Sequence, residues 1–339
     1  PENNYFLFIE EDSERILFAS IYGQQDIDLA IRGEVQILEE KPNLFKRIDG
    51  LVPLEKMNEK AISIIGLGSG GSSIAMELAA AGVGKLYLFD KDRLDNVNIF
   101  RHICGERDLG RKKTDAVEDV IKDHSLPTKI KKYNDNIVYN PEKLIESIQC
   151  CDVVICATDN PESRSMVNYL CVKLRKTLVL VCTFDNAKIG EIIRVMPEQT
   201  ACYECTRIHL KEQGVLIEDI ETREGVLPYG SQAVGTDNNS MGTRTDVFIV
   251  AAMAAKVALM TLNDDTEKGF GRLPYNYITW GAVRNTEFSG PYTFKQPFAT
   301  SYGNYNIRQD CPICGSLNEE LININIEEKY NEIMQTLST

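Results

Sequence analysis

The chain has 339 residues, a hydrophobic fraction of 43% and a net charge of −13 at pH 7. This composition is typical of a globular protein with one large α/β domain or two smaller ones. An acidic chain is a poor general binder of nucleic acid or of an anionic membrane, because both require clustered lysine and arginine. The first residues show no secretory signal, and ten cysteines at this length do not resemble a disulfide scaffold, so we expect a cytoplasmic protein.

Residues 1–48 predict a small β-rich extension with strands in YFLFIEE, RILFASIY and EVQILEE. A connector with one short helix, KPNLFKRIDGLVPLEKMNEK, follows. Residues 316–339 predict a C-terminal strand and a short helix. These segments flank the part of the chain in which the motifs lie.

Between residues 49 and 315, apolar strand-like runs alternate with helix-like segments, which predicts an α/β domain with a Rossmann-like, mostly parallel sheet and helices on both faces. The predicted strands are AISIIGLG, KLYLFD, TKIKKYN, DVVICAT and TLVLVCTF. The apolar segment 246–262 predicts a core helix, because Asp246 and Lys256 interrupt it and it is short for a membrane span.

A G-x-G-x-x-G run formed by Gly66, Gly68 and Gly71 follows the first of these strands and opens a helix. Such glycines permit a tight turn, a close approach of backbone N–H groups to phosphate, and close packing of helix on strand. Asp90 ends the next strand, where a carboxylate can accept hydrogen bonds from a ribose. The run therefore predicts a nucleotide site, although a glycine turn used only for packing is the alternative.

The residues after Asp90 favour a triphosphate over a dinucleotide. Asn98, Arg101 and Lys113 follow it closely, and the arginine and the lysine would neutralise the β- and γ-phosphates and the leaving pyrophosphate of ATP. Mg²⁺ requires a further oxygen ligand. Asp159, in CATDNPESR, follows the fourth strand and is the candidate for that ligand.

Two C-x-x-C pairs lie in the C-terminal half of the chain: Cys202 with Cys205, and Cys311 with Cys314. Four thiolates at this spacing predict a closed, tetrahedral zinc site with a structural role. Two unrelated thiol pairs, or a redox pair, are the alternatives.

Taken in order, GLGSGG, LFDKDRLDNVNIFRH, GRKK, ATDN and the two C-x-x-C pairs strongly resemble the ThiF/MoeB/ubiquitin-activating-enzyme superfamily, over about residues 50–315. The form NIFRHICGERDLGRKK looks more like activating enzymes of bacterial ubiquitin-like systems. The resemblance implies ATP- and Mg²⁺-dependent adenylation of a small β-grasp protein at its C-terminal carboxylate by a homodimer. A conjugating enzyme is a further expected partner.

Several site roles are implied by the resemblance alone. Asp90 would bind the ribose, while Asn98, Arg101 and Lys113 would bind the phosphates. Asp159 would hold magnesium. Arg47 is the nearest candidate for an arginine that completes the site of the partner subunit.

Many members of this superfamily also carry a catalytic cysteine after the first zinc pair, yet residues 206–310 contain none. Three possibilities follow: the enzyme stops at the adenylate, it uses an unusual cysteine, of which Cys104 is the least implausible, or Ser231 or Ser240 stands in place of a lost thiol. We expect the apolar positions Cys156, Cys171 and Cys182 to be buried and inert. Residues 211–245 form a crossover-like loop or, on the plainer interpretation, a mobile connection.

The sequence therefore predicts an activating enzyme for a ubiquitin-like protein in a bacterial conjugation pathway. A sulfur-carrier adenylyltransferase of the thiamine or molybdopterin type, a peptide-adenylating enzyme and an inactive scaffold subunit are the alternatives. An NAD-dependent oxidoreductase is disfavoured, because no acid–base pair for hydride transfer stands out.

Overall fold

The computed structural model describes residues 4–9, 16–24, 27–34, 44–124, 126–217, 242–263 and 271–316. The chain divides into two compact units, Pro1–Lys46 and Arg47–Thr339. The predicted C-terminal strand and helix, apart from residue 316, lie outside the described residues.

The first unit contains a three-stranded antiparallel sheet in the order β1-β2-β3. Its strands are β1 (Asn4–Ile9), β2 (Ile16–Gln24) and β3 (Ile27–Glu34). The first two predicted strands are confirmed. The third described strand lies in IDLAIRGE, which was not predicted and whose apolar residues alternate with polar or small ones. The predicted strand EVQILEE lies, apart from its first residue, outside the described residues.

The second unit contains eight strands and seven α-helices within its described residues. The strands are β4 (Ala61–Ile65), β5 (Lys85–Phe89), β6 (Lys129–Tyr133), β7 (Val153–Cys156), β8 (Thr177–Phe184), β9 (Ile189–Val195), β10 (Tyr277–Gly281) and β11 (Ala299–Gly303). The helices are α1 (Leu54–Glu59), α2 (Ser69–Ala80), α3 (Lys113–Asp123), α4 (Pro141–Cys150), α5 (Pro161–Lys173), α6 (Tyr203–Glu212) and α7 (Arg244–Leu262).

These strands form one sheet in the order β11-β10-β9-β8-β7-β4-β5-β6. The five strands from β8 to β6 run parallel to one another, as predicted. Strands β9, β10 and β11 extend the sheet in antiparallel pairing and were not predicted. The mostly parallel, Rossmann-like sheet is thus confirmed.

Helices cover both faces of this sheet, as predicted. On β4, Ile62 and Ile64 belong to a core shared with α2, α3 and α7, while Ala61 and Ile65 belong to a second core shared with α4, α5 and α6. All five residues of β4 are buried, so this strand lies at the centre of the unit.

Helix α7 is the one described helix that is long and apolar enough to cross a membrane by length and composition, with a mean hydropathy of 1.8. It packs against α2 and against the sheet, and it buries Val250, Ala254 and Ala258 in the first core. Gly190 of β9 permits this approach, because a Cβ atom there would lie 2.4 Å from the Val250 side chain. These contacts confirm the prediction that this segment is a core helix.

The strand order reverses at β4, because β5 and β6 lie on one side of it and β7 and β8 on the other. In open α/β sheets, ligands bind in the crevice beyond the carboxyl ends of the strands at such a reversal. The loops that follow β4, β5 and β7 therefore meet at the edge where the predicted site residues lie.

Candidate functional site

Two of the three predicted glycines are required by close backbone contacts. Gly66 has φ +90°, and a Cβ atom on it would lie 2.9 Å from the Ala157 carbonyl oxygen, beyond β7. A Cβ atom on Gly71 would lie 1.9 Å from the Gly66 carbonyl oxygen. The loop after β4 is thereby pressed against both the loop after β7 and the first turn of α2.

The third glycine faces open space. Gly68 is the N-cap of α2, and a Cβ atom on it would meet no atom within 4 Å. No side chain caps this helix end, so its first N–H groups stay available to an anion. An open helix N-terminus of this kind suits a phosphate group.

The backbone of Leu67, between these glycines, is held from two sides. Its N–H donates to the Asp90 carboxylate at 2.7 Å, and its carbonyl oxygen lies 2.8 Å from His102 Nε2. The Cys104 N–H donates to His102 Nδ1 at 3.1 Å, so the Nε2 atom carries the proton and donates to Leu67. Burial lowers the pKa of His102, which favours this neutral form.

The role of His102 as a clamp on the glycine loop is the main feature that sequence reasoning did not assign. Its position directly after Arg101 gave no indication that the ring would reach back to the first loop.

Asp90 lies at the predicted ribose position. Its second oxygen accepts the Asp92 N–H at 2.8 Å. Burial raises the pKa of this carboxyl group, while Lys113 and the backbone N–H groups of Asp92 and Leu67 lower it. Each carboxylate oxygen has a second lone pair, which leaves capacity to accept ribose hydroxyl groups.

Lys113 is the first residue of α3 and is buried near Asp90. Its Nζ atom lies 3.2 Å from the Asp92 carboxylate and 3.8 Å from that of Asp90. The Lys113 ammonium group therefore faces the same loop as Asp90, the predicted ribose ligand. A bound phosphate would compete with Asp92 for it.

Asn98 and Arg101 lie on a short 3₁₀ helix, Asn96–Arg101, between β5 and α3. Both side chains are half-buried, and Arg101 Nη2 lies 3.4 Å from Asn98 Oδ1. Because Arg101 precedes His102, which contacts Leu67, this turn lies beside the glycine loop. The structure thus brings both of these predicted phosphate ligands to the edge of the sheet at which the glycine loop lies.

Asp159 is exposed on the loop after β7, one residue beyond Thr158, whose methyl group lies 3.1 Å from a Cβ atom built on Gly66. Its carboxylate makes no hydrogen bond or ion pair with the described residues. Asn160 caps α5 by accepting the Ser163 N–H at 2.8 Å, which fixes the loop. An unshared carboxylate held beside a phosphate cradle suits a magnesium ligand.

Arg47, by contrast, lies on an exposed turn and has no contact with these site residues in the described structure. Its predicted role concerns a partner subunit and stays a prediction.

The two C-x-x-C pairs converge on one cluster, which rules out two unrelated thiol pairs. The Sγ atoms of Cys202 and Cys311 are 3.6 Å apart, and those of Cys205 and Cys314 are 3.3 Å apart. All four sulfur atoms lie within 4.8 Å of one another. Tetrahedral zinc with bonds of about 2.3 Å separates its sulfur ligands by about 3.8 Å, so the cluster fits this metal.

Backbone N–H groups surround the cluster, as expected for thiolate ligands. Arg308 N–H donates to Cys205 Sγ and Ile313 N–H to Cys311 Sγ, each at 3.5 Å. Cys205 N–H donates to Cys202 Sγ, also at 3.5 Å. Such hydrogen bonds stabilise the negative sulfur and orient it toward a metal.

The remaining cysteines require two corrections. Cys104 is buried, and burial raises the pKa of its thiol to about 12, so it is not a suitable nucleophile. Cys156 and Cys171 are buried as predicted. Cys182, however, is half-exposed at the end of β8, with its Sγ atom 3.6 Å from Glu191 Oε2. The prediction that this residue is fully buried was therefore wrong, because its neighbour across the strand pair is the polar Glu191 side chain.

Most of the predicted crossover segment, residues 218–241, lies outside the described residues. Residues 211 and 212 still belong to α6, and residues 244 and 245 already belong to α7. Ser231 and Ser240 lie outside the described residues.

Residues 41–287 match the ThiF family, and the chain therefore belongs to it. The resemblance that the glycine run and the ATDN motif indicated is thus confirmed. The match ends before the second cysteine pair.

Among curated proteins, the chain is similar to ubiquitin-like modifier-activating enzyme 5 of Bombyx mori, with 29% identity over 202 residues, or 54% of this chain and 51% of that one. The Rattus norvegicus enzyme of the same name is 28% identical over 203 residues, covering 54% and 50%. The chain thus spans about half the length of the curated relatives it matches.

Among solved structures, it resembles E. coli MccB with MccA-N7isoASN, with a TM-score of 0.57 and 19% identity over 77% of this chain and 69% of that one. MccB with ATP gives a TM-score of 0.55 and 20% identity, covering 77% and 68%. PaaA gives a TM-score of 0.55 and 14% identity, covering 74% of each chain. These likenesses show a common fold.

We predict that alanine at Gly71 lowers stability, whereas alanine at Gly68 lowers nucleotide affinity. Gly71→Ala is expected to destabilise the fold by about 1–3 kcal/mol, because its Cβ atom would overlap the Gly66 carbonyl oxygen. Gly68→Ala is expected to fold normally and lose nucleotide affinity, because its Cβ atom would fill space that phosphate needs. Thermal unfolding and ATP titration test this pair; native ATP affinity in Gly68→Ala would contradict the assignment.

We predict that the free energy of unfolding falls as the pH drops below about 6.5, the ordinary pKa of histidine. In that range the unfolded chain takes up a proton that folded His102, with its lowered pKa, still excludes. In His102→Gln, the free energy of unfolding should depend less steeply on pH in this range. In His124→Gln, which alters an exposed position, it should keep the native pH dependence. Denaturant unfolding at several pH values measures the slopes, and equal slopes in all three proteins would contradict the clamp.

We predict about one zinc ion per chain. Cys314→Ser should lose the metal and unfold at a lower temperature, because three thiolates cannot close a structural site. Cys150→Ser, which alters an exposed cysteine outside the cluster, should retain the metal and the native unfolding temperature. Elemental analysis of the purified proteins decides the matter, and a folded native protein without metal would exclude the site.

Proposed function

We propose that this chain transfers AMP from ATP to the C-terminal carboxylate of a ubiquitin-like protein, with Mg²⁺, as the activating enzyme of a bacterial ubiquitin-like conjugation pathway. The observation that carries the proposal is the meeting of the glycine loop, Asp90 and Asp159 at the reversal of strand order. Membership of the ThiF family and the similarity to ubiquitin-like modifier-activating enzymes support this reaction.

The reaction needs no general base, which agrees with the absence of a free histidine from the described part of the site. The substrate carboxylate is ionised at pH 7. One of its oxygens attacks the α-phosphorus of ATP, the bond to the bridging oxygen breaks, and pyrophosphate leaves with the electron pair. Catalysis then consists of positioning the two reactants and neutralising the charge that develops on pyrophosphate.

Each predicted residue has a task in this reaction. Asp90 accepts the ribose hydroxyl groups while it holds Leu67. The open start of α2 at Gly68 binds phosphate oxygen, and Asn98, Arg101 and Lys113 bind the remaining phosphate charge. Asp159 would hold Mg²⁺, whose positive charge screens the phosphates from the attacking carboxylate.

The assembly that we propose is a cytoplasmic homodimer in which Arg47 reaches the partner's site. A structural zinc ion held by the four-cysteine cluster would fasten the C-terminal segment. A conjugating enzyme would receive the activated protein, although Cys104 is unsuited to form a thioester with it.

A peptide substrate is the second candidate, and the likeness of the fold to MccB, which was solved with MccA-N7isoASN, favours it. The residues described at the nucleotide site serve a peptide carboxylate and a protein carboxylate equally. A sulfur carrier of the thiamine or molybdopterin pathway would use the same residues. An inactive scaffold is disfavoured, because the cations and acids of the site are all present.

ATP–pyrophosphate exchange with Mg²⁺ tests the proposal against a panel of ubiquitin-like proteins, sulfur carriers and peptides with free C-termini. Exchange is expected with a ubiquitin-like protein alone. Exchange with peptides alone would favour the second candidate, and no exchange despite ATP binding would favour a scaffold.

We predict that Asp159→Ala abolishes exchange while the unfolding temperature stays close to the native value, because this exposed carboxylate makes no contact that the fold requires. Glu162→Ala removes a neighbouring exposed carboxylate of α5 and should exchange normally. Undiminished exchange by Asp159→Ala would remove the magnesium assignment.

A further inference from the structure

An arginine that no motif singles out lies at the same edge of the sheet. Arg244 is the first residue of α7, directly after the N-cap Thr243, whose hydroxyl accepts the Asp246 N–H at 3.2 Å. The Arg244 side chain is exposed, and its Cζ atom lies 4.5 Å from the centroid of the Phe248 ring. Among the described residues it makes no ion pair.

Two packing contacts fix the start of α7, which carries this arginine. On one side, Val247 Cγ1 lies 3.9 Å from a Cβ atom built on Gly70, in the first turn of α2. On the other side, a Cβ atom built on Gly242 would lie 2.8 Å from the Ala187 side chain, in the turn that joins β8 to β9. Arg244 is therefore held between the start of the phosphate-binding helix and a turn at the carboxyl end of β8.

The electrostatics of the glycine loop agree with this placement. The pKa of His102 is lowered first by burial, and the positive charges of Lys113 and Arg244 lower it further. His102 itself contacts Leu67. Since α7 also packs against the Asn96–Arg101 turn, two cations approach the glycine loop from different elements.

We propose that Arg244 is a further phosphate-binding residue of this site, which donates hydrogen bonds from its guanidinium group to the phosphate oxygens of ATP. This inference rests on the proposed function, because it assumes that the nucleotide at the glycine loop is ATP.

The side chain suits that task for two reasons. A guanidinium group presents its donors as a planar fork that matches two phosphate oxygens, and it is always charged. The Phe248 ring beneath it limits its rotamers, so less freedom is lost when it binds an anion. No carboxylate among the described residues has to be displaced first, unlike the case of Lys113 and Asp92.

The test compares ATP with adenosine as ligands in equilibrium titrations of the full chain. Arg244→Gln is expected to weaken ATP binding about 10- to 100-fold, the effect of losing charge-assisted hydrogen bonds. Its affinity for adenosine should stay native, because adenosine has no phosphate. Arg244→Lys should restore part of the ATP affinity, and Arg175→Gln, which alters an exposed arginine at the end of α5, should bind ATP like the native protein.

Native ATP affinity in Arg244→Gln would overturn the inference and leave the proposed function standing. An equal loss of ATP and adenosine affinity would also overturn it, since that result indicates a structural role. Failure of the native protein to bind ATP would overturn the proposed function and this inference together.

Discussion

The hydrogen bonds to the backbone of Leu67 are the interactions on which the rest of the site depends. This residue joins the strand β4 to the helix α2, and it is fixed by Asp90 on one side and His102 on the other. Both partners lie beyond β5, so the glycine loop and the loop after β5 form one unit. A phosphate cradle must be rigid to be effective, because its N–H groups have to point at the anion before the anion arrives. Asp90 thus positions the loop with the same carboxylate that we expect to bind the ribose.

The site places cations beside the glycine loop although the chain as a whole carries a net charge of −13. Lys113 pairs with Asp92 at 3.2 Å, so its charge is compensated in the absence of nucleotide. Arg244 has no such counter-ion among the described residues and rests on an aromatic ring. The two cations would therefore respond differently to a bound phosphate. Lys113 would exchange the Asp92 carboxylate for the phosphate, whereas Arg244 would gain a counter-ion. An acidic protein can bind a triphosphate in this way without a large positive field.

The sequence predicted the elements around β4 well because each has a strong local signal. Continuous apolar strands, a glycine run and a proline at the start of α4 and of α5 define that half of the fold. Strands β9 to β11 were missed because buried polar residues such as Glu191 and Thr279 interrupt their apolar pattern, and tertiary partners satisfy them: Tyr277 and Tyr292 donate to Glu191. The cysteine spacing predicted the metal cluster, whereas the His102 clamp and the placement of Arg244 depend on contacts between segments far apart in sequence.

The cysteine cluster lies away from the glycine loop, yet helix α5 connects the two. Asp159 precedes the first turn of α5, and further along this helix the Asn168 side chain accepts the Tyr203 N–H at 2.9 Å, where α6 begins. Cys202 is the N-cap of α6, so a metal bound there would fix the start of that helix against α5. The second cysteine pair would then fasten the segment after β11 to the same point.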